Sequence, residues 1–225
     1  MKNAYLIIDL LIIAIPLLLT FFPSFKFYRR YKALFLSILI VGGLFLWWDV
    51  AVTARGDWSF NNDFILGTRV MGLPLEELLF FIAVPYSCLF LYEALRSRII
   101  ERDVKYNRNL YLILAAVAFL SSFLFRSNSY TSLVLLVFGL LMLAGGLILR
   151  FIFSSFIYWI WMVTCMFLFF LFNHMLTGLP AVTYNPAAIL NIRISTVPIE
   201  DIFYNFSILT CYLAFYLFFR GERAK

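Results

Sequence analysis

The chain has 225 residues, of which 64% are hydrophobic, 20% aromatic and 13% charged. Soluble globular domains carry about a quarter charged residues, so this composition and a mean hydropathy of +0.94 exclude an ordinary soluble protein. They predict an all-α integral membrane protein. The net charge of +6 does not indicate a nucleic-acid partner, because the basic residues lie in loops between apolar runs, as membrane topology requires.

Seven apolar runs are each about as long as the roughly 20 residues that a bilayer-spanning helix needs. We predict transmembrane helices at residues 4–22, 33–54, 75–95, 108–125, 129–149, 154–174 and 199–219. The third and seventh have the clearest ends, because Pro74 precedes one, Pro198 precedes the other, and arginines follow both. The lipid bilayer is therefore the predicted environment of most of the chain.

Basic residues are concentrated on one side of these helices. Thirteen follow the first, third, fifth and seventh helices: Lys26, Arg29, Arg30, Lys32, Arg96, Arg98, Arg102, Lys105, Arg108, Arg150, Arg220, Arg223 and Lys225. The other side has five: Lys2, Arg55, Arg69, Arg126 and Arg193. By the positive-inside rule, we expect the N-terminus outside and the C-terminus in the cytoplasm, in the plasma membrane of a prokaryote.

The most distinctive pattern is a phrase that occurs twice. Residues 69–77 read Arg-Val-Met-Gly-Leu-Pro-Leu-Glu-Glu, and 124 residues later 193–201 read Arg-Ile-Ser-Thr-Val-Pro-Ile-Glu-Asp. The same shift maps the first three helices onto the last three. We predict two repeats, at 1–98 and 128–225, joined by a linker helix and its flanks at 99–127. The unmatched helix makes the repeats parallel, a 3+1+3 arrangement that places both phrases at the outer face.

Each phrase ends in two adjacent acids at the start of a predicted helix. These four are the candidate catalytic residues: Glu76, Glu77, Glu200 and Asp201. Carboxyl groups in a membrane segment are costly and usually functional; helix capping is the structural alternative. Neighbours on a helix are about 100° apart, so one acid of each pair is expected to face the bundle and the other a loop or a neighbouring helix. Arg69 and Arg193 are the expected ion partners of the outward-facing acids.

The residues resemble the integral-membrane lycopene cyclases of archaea and bacteria, which also occur fused to another enzyme in fungi. The resemblance spans nearly the whole chain and is to the form in which two small subunits are joined. It rests on Asp49, Gly67, Arg193 and the stretches 56–61, 74–81, 173–184 and 198–204. It implies proton-initiated cyclisation of lycopene to β-ionone rings, through γ-carotene to β-carotene, without net redox. The sequence leaves open whether the ring is β or ε, whether one or both ends cyclise, and whether the substrate is a C40 or a C50 carotene.

That chemistry needs an acid, a base and a dry pocket that tolerates a carbocation. The four carboxyl groups can supply acid and base, and the sequence leaves open which does which. Supporting or substrate-binding residues are expected at Asp49, Asn173, Trp58, Phe60, Asn61, Tyr184, Asn185, Arg69, Arg193, Phe80 and Tyr204. Asp9, matched in the second half by Leu133, either faces the site or lies near the membrane interface.

No cofactor is expected. The chain has no Walker motif or GxGxxG, and the resemblance is not to the flavin-dependent cyclases. Cys88, Cys165 and Cys211 lack metal-ligand spacing and are predicted to be core residues. His174, the single histidine, is predicted to be a buried imidazole without a metal.

A small transporter is the alternative function, because parallel 3+1+3 repeats also form sugar carriers. Such carriers need polar, interrupted helices at the middle of the membrane, whereas the acids here lie at helix ends. A retinal photoreceptor is disfavoured because 199–219 has no lysine for a Schiff base.

Overall fold

The computed structural model describes residues 3–222, which are mostly helical. Its long helices are α1 (Ala4–Leu19), α2 (Phe27–Arg55), α3 (Leu75–Arg96), α4 (Arg108–Leu124), α5 (Ser129–Leu147), α6 (Phe156–Gly178) and α7 (Glu200–Phe219). A four-residue helical turn, Arg150–Phe153, precedes α6. Lys2, Arg223 and Lys225, which contributed to the predicted topology, lie outside the described residues.

Five of these helices, α2, α3, α5, α6 and α7, are long and apolar enough to cross a membrane. The apolar helices α1 and α4 are shorter, with 16 and 17 residues. The protein is an integral membrane protein. The largest differences from the predicted ranges are at the start of α2, which begins at Phe27 with a 3₁₀ turn, and at the end of α6, which continues to Gly178. Helix α1 ends early, at Leu19, ahead of Pro23, which disfavours helix at the residue before it.

Six short strands connect the helices. They are β1 (Trp58–Phe60), β2 (Arg69–Val70), β3 (Leu73–Pro74), β4 (Val182–Tyr184), β5 (Arg193–Ile194) and β6 (Val197–Pro198). The duplicated phrase forms a tight hairpin in each half, β2–β3 before α3 and β5–β6 before α7. The turn of the first hairpin, Met71 and Gly72, has positive φ at both residues, as primed hairpin turns require.

Strands β1 and β4 pair with each other and join the two halves of the chain. Ser59 lies opposite Thr183, its equivalent 124 residues later, and their hydroxyl oxygens are 2.9 Å apart. The flanking pairs are Trp58 with Tyr184 and Phe60 with Val182. The shift of 124 residues relates Trp58 to Val182 and Phe60 to Tyr184, so it converts each pair into the other. An antiparallel pair with equivalent residues at its centre has a local twofold axis between its strands, so the halves meet symmetrically at this ribbon.

The starts of α1, α3, α5 and α7 and the ends of α2 and α6 gather at the ribbon end of the bundle. The backbone N–H of Tyr5 donates to Phe64 at 3.2 Å, and that of Tyr130 donates to Ala188 at 3.0 Å. At the opposite end, ion pairs join α3 to α7 and the segment after it. They are Glu93 with Arg220 and Arg96 with Glu222. The duplicated acids and these ion pairs therefore lie at opposite ends of the bundle.

Glycines of α5 allow close packing of aromatic rings. A Cβ atom at Gly145 would lie 2.8 Å from the ring of Phe153 and 3.2 Å from the ring of Tyr111. Both rings are buried, so neither has free space into which it could move. The contact explains a glycine in the last turn of an apolar helix, where a glycine otherwise lowers helix propensity.

We expect Gly145→Ala to overpack this contact and lower the free energy of unfolding by about 1–3 kcal/mol. Thermal unfolding in detergent measures the effect. Gly43→Ala in α2 is the matched control, because no described atom lies within 4 Å of the added Cβ. Equal unfolding temperatures for the two variants would contradict the packing argument.

Candidate active site

A cavity of about 90 Å³ lies among the helix starts and the β1–β4 ribbon. Each of the long helices except α4 contributes a lining side chain, as do both strands of the ribbon. Three carboxyl groups line it: Asp49, Glu77 and Asp201. Most of the remaining lining is aromatic or aliphatic. The cavity therefore brings acids from both halves of the chain into one apolar space.

The structure divides the four candidate catalytic acids into two pairs. Glu77 and Asp201 line the cavity. Glu76 and Glu200 are buried, with 0% and 2% exposure, but point away from it. Each accepts a hydrogen bond from the backbone N–H ten residues earlier, at 2.6 and 2.7 Å. The prediction that one acid of each pair faces the bundle and the other a loop is confirmed.

Glu76 and Glu200 lie in the first turns of their helices, near the positive dipole end, but no capping hydrogen bond within the helix is made by a side chain there. Their Oε1 atoms bind the N–H groups of Leu66 and Leu190 in the loops before the hairpins, and Glu200 also accepts from the Thr131 hydroxyl at 2.6 Å. Their Oε2 atoms have no hydrogen-bond partner among the described residues. These two acids fasten equivalent loops, because a buried N–H needs an acceptor that the irregular backbone does not supply.

Acidic groups are crowded around Glu77. The Tyr5 hydroxyl donates to its Oε2 at 2.5 Å, and Asp49 and Asp9 both interact with it electrostatically. Asp9 is 3% exposed, and neither of its oxygens has a hydrogen-bond partner in the described part of the chain. Within residues 3–222, no group of acids, cysteines or histidines is arranged to hold a metal ion. The first half therefore contributes three carboxyl groups that have few donors: the buried Asp9 and Asp49 and the part-buried Glu77.

Asp201 has the opposite environment. Tyr130 donates to its Oδ1 at 2.8 Å, and Tyr184 and Asn173 donate to its Oδ2 at 2.7 and 3.0 Å. Burial, and then the negative charge of Asp201, raise the pKa of Tyr184 well above its usual value, so the phenol stays protonated and donates. Asn173 occupies the position equivalent to Asp49. The second half thus has an amide donor where the first half has a carboxyl group.

Aromatic side chains form much of the cavity wall. The Trp58 ring meets the rings of Tyr130 and Tyr184 edge-on, with centroids 5.0 and 5.9 Å apart. The five aromatic residues predicted to support the site all line the cavity: Trp58, Phe60, Phe80, Tyr184 and Tyr204. Their faces and edges can stabilise a positive charge in a space from which water is largely excluded.

Two predicted asparagines lie outside the cavity lining and support the loops. The side chain of Asn61 accepts a hydrogen bond from the backbone of Asp63 at 3.0 Å. Asn185 donates from its side chain to the backbone oxygen of Gly56 at 3.1 Å. These contacts order the turns beside β1 and β4. The two asparagines therefore help to hold the β1–β4 ribbon beside the cavity, but do not line the cavity themselves.

Two further predictions, about the paired arginines and about His174, are wrong. Arg69 and Arg193 do not pair with the acids in the described residues; each donates within its own hairpin, to the backbone oxygens of Gly72 at 3.0 Å and Thr196 at 2.8 Å. The tight turns bring these carbonyls nearer than any carboxylate. His174 is exposed rather than buried, because α6 turns this position outward, and its Nδ1 hydrogen-bonds with the hydroxyl of Thr196 at 2.8 Å.

The sequence analysis missed Tyr5 and Tyr130, which donate to the two cavity acids. Each is the second residue of its helix. Their spacing is 125 residues, so the ungapped shift of 124 places Ser129 opposite Tyr5 and hides the match. A one-residue gap before α5 would have aligned them and indicated a duplicated tyrosine donor.

Comparison with known proteins decides the family. A family model described as lycopene cyclase matches residues 2–95 and 127–219, which together make up most of the chain. The chain belongs to the lycopene cyclase family. No curated protein and no solved structure matches it. Family membership makes this protein a carotenoid cyclase in general terms, acting on a carotenoid substrate.

We expect Glu200→Ala to lower the free energy of unfolding by about 1–3 kcal/mol, because the buried N–H of Leu190 and hydroxyl of Thr131 lose their acceptor. Glu200→Gln keeps an acceptor oxygen and is expected to lose clearly less stability. Thermal unfolding of both variants in detergent measures the difference. The loop-fastening role is contradicted if the two substitutions lower the unfolding temperature equally.

Proposed function

We propose that this lycopene cyclase family member converts the linear ends of lycopene to β-ionone rings by proton transfer, giving γ-carotene and then β-carotene. The observation that carries the proposal is that Glu77 and Asp201, one from each half of the chain, line the same apolar cavity. The proposed cycle has no net redox change and uses no cofactor. It needs one group that gives a proton and one that accepts it.

The acid in this proposal is the carboxyl group of Glu77. Three carboxyl groups buried close together cannot all carry charge, because repulsion and the loss of hydration both disfavour it. The cluster of Asp9, Asp49 and Glu77 therefore holds at least one proton. The Tyr5 hydroxyl already donates to Glu77, so it would stabilise the carboxylate that remains after the proton leaves.

The base in this proposal is Asp201. Its three donated hydrogen bonds stabilise a negative charge that burial alone would disfavour. A carboxylate held in this way can also attract a nearby carbocation. The division of work follows from one pair of equivalent positions, because Asp49 adds a carboxyl group beside Glu77 whereas Asn173 adds a donor beside Asp201.

The reaction then proceeds with balanced protons. Glu77 transfers a proton to the terminal double bond of lycopene, and the resulting tertiary cation is attacked by the neighbouring alkene to close the ring. Asp201 removes a ring proton, which leaves the β-ring double bond. The cation lies among the rings of Trp58, Phe60 and Tyr204, and a desolvated cation on an aromatic face gains about 2 kcal/mol.

For the membrane arrangement, we propose seven spans built as two parallel three-helix repeats around α4. The duplicated strands and hairpins and the symmetric β1–β4 ribbon support this 3+1+3 arrangement, with repeats at 1–98 and 128–225 and the linker at 99–127. The basic residues near the end opposite the cavity support a cytoplasmic C-terminus and an outer N-terminus in a prokaryotic plasma membrane. The transporter alternative has no support from the comparisons.

Expression in a lycopene-accumulating bacterium, followed by pigment analysis, tests the proposed function. The intact protein is expected to produce β-carotene, whereas Glu77→Gln and Asp201→Asn should lower cyclisation at least about 100-fold, the usual minimum effect of removing a general acid or base. Glu76→Gln and Glu200→Gln are the matched controls, since their carboxyl groups lie outside the cavity, and they should retain cyclisation.

Unchanged lycopene in cells that contain the folded, intact protein would overturn the cyclase proposal. Full activity in both Glu77→Gln and Asp201→Asn would leave a cyclase but contradict the assignment of acid and base. The folded state of every variant is checked by its unfolding temperature in detergent.

A further inference from the structure

A second, larger cavity of about 420 Å³ lies next to the active-site cavity. It lies between α1, α3, α6 and α7, and we call it the α1–α6 groove. Six residues line both cavities: Phe80, Val84, Phe169, Asn173, Asn205 and Leu209. The groove follows α3 as far as Ala94 and reaches Arg98. From Glu77 to Ala94 this is about 26 Å of helix, at about 1.5 Å per residue.

The active-site cavity alone is too small for a carotenoid end group with its chain. An apolar cavity of about 150 Å³ holds a single benzene molecule, and this cavity has about 90 Å³. A substrate whose reacting end lies between Glu77 and Asp201 must therefore extend beyond it. The α1–α6 groove shares six side chains with the wall of the first cavity, so it is the adjacent space for the rest of the molecule.

The lining of the groove suits a hydrocarbon. Most of it is aliphatic or aromatic, and its uncharged polar side chains already bind protein acceptors. Ser87 donates to the backbone oxygen of Ile12 at 2.9 Å, and Asn205 donates to the sulfur of Met166 at 3.3 Å. A polar ligand would lose its hydration here without gaining these groups as partners, whereas an all-carbon chain loses nothing.

The equivalent space in the other half of the chain is filled. Cys88 lines the groove, and its equivalent 124 residues later is Tyr212, a much larger side chain that is 1% exposed. Phe80 corresponds to Tyr204, whose ring packs edge-on against Trp48 at a centroid distance of 5.4 Å. In the described part of the chain, the duplicated scaffold therefore has its open groove on the side of Glu77.

We propose that the polyene chain of the carotenoid occupies the α1–α6 groove while one end lies between Glu77 and Asp201. This proposal rests on the proposed function. The exposed Leu11 and Ile15 of α1 and Leu168 of α6 border the groove, so it opens toward lipid and a carotene dissolved in the bilayer enters from the side. Because there is one groove, the molecule leaves after the first ring closes and returns with its other end first.

Cys88→Tyr, which installs the residue of the other half, tests the proposal. We expect cyclisation of lycopene to fall at least roughly tenfold, because the added ring overfills the path of the polyene. A short acyclic substrate with the same end group but a truncated polyene should still be cyclised. Val163→Tyr is the matched control, since Val163 is 67% exposed on α6, and it should cyclise both substrates like the intact protein.

The outcomes separate the groove from the function. Full cyclisation of lycopene by Cys88→Tyr would overturn the groove and leave the cyclase proposal standing. If a folded Cys88→Tyr variant loses cyclisation of the long and the short substrate equally, the groove proposal is also overturned, since the added ring would then disturb the active site itself. Failure of the intact protein with both substrates would overturn the proposed function.

Labelling of Cys88 gives a readout that does not depend on catalysis. In a Cys165→Ala, Cys211→Ala variant, Cys88 is the remaining cysteine of the chain, and N-ethylmaleimide modification can be followed by mass spectrometry. Lycopene in the vesicles should slow the modification of Cys88. An unchanged rate would show that lycopene does not occupy the groove, and would overturn the proposal.

Discussion

The structure depends on how a membrane protein hydrogen-bonds the carboxyl groups that it buries. An unpaired buried acid is costly. In both halves the same contact lowers this cost: Glu76 and Glu200 each accept a hydrogen bond from the backbone N–H ten residues earlier, in the loop before the hairpin. Those contacts fix the two hairpins and set the rotation of α3 and α7. The next residue of each helix, Glu77 or Asp201, is thereby turned into the shared cavity. The two acids that we propose to be reactive are thus positioned by their buried neighbours.

Gene duplication explains the symmetric frame, and a few later substitutions explain its unequal sides. The β1–β4 ribbon pairs equivalent residues across a local twofold axis, so the original site was made of two like halves. In the proposed mechanism, the difference between Asp49 and Asn173 makes the first side hold a proton and the second side hold a hydrogen-bonded carboxylate. Cys88 opposite Tyr212 leaves a groove on one side and a filled core on the other. Both changes favour the same side for proton donation and for the chain of the substrate.

The helices and the two hairpin-preceded acid pairs could be predicted from the sequence, because apolar runs and a duplicated phrase are directly visible in it. The aromatic wall and the opposite orientation of neighbouring acids were also predictable. The sequence could not separate Glu76 from Glu77, since their roles depend on helix rotation, which a backbone contact at Leu66 fixes. It misplaced the arginines for a similar reason: the hairpin turns that supply their acceptors form only in the folded chain.

The central claim is that different carboxyl groups give and remove the proton. To test it directly, the protein in lipid vesicles cyclises lycopene in D₂O, and mass spectrometry measures the deuterium in the β-carotene. Glu77 must take a new proton from solvent in each cycle, while Asp201 releases the old one. The account therefore predicts one deuterium for each ring formed. Unlabelled β-carotene after many turnovers would contradict it, because one group would then be returning the same proton.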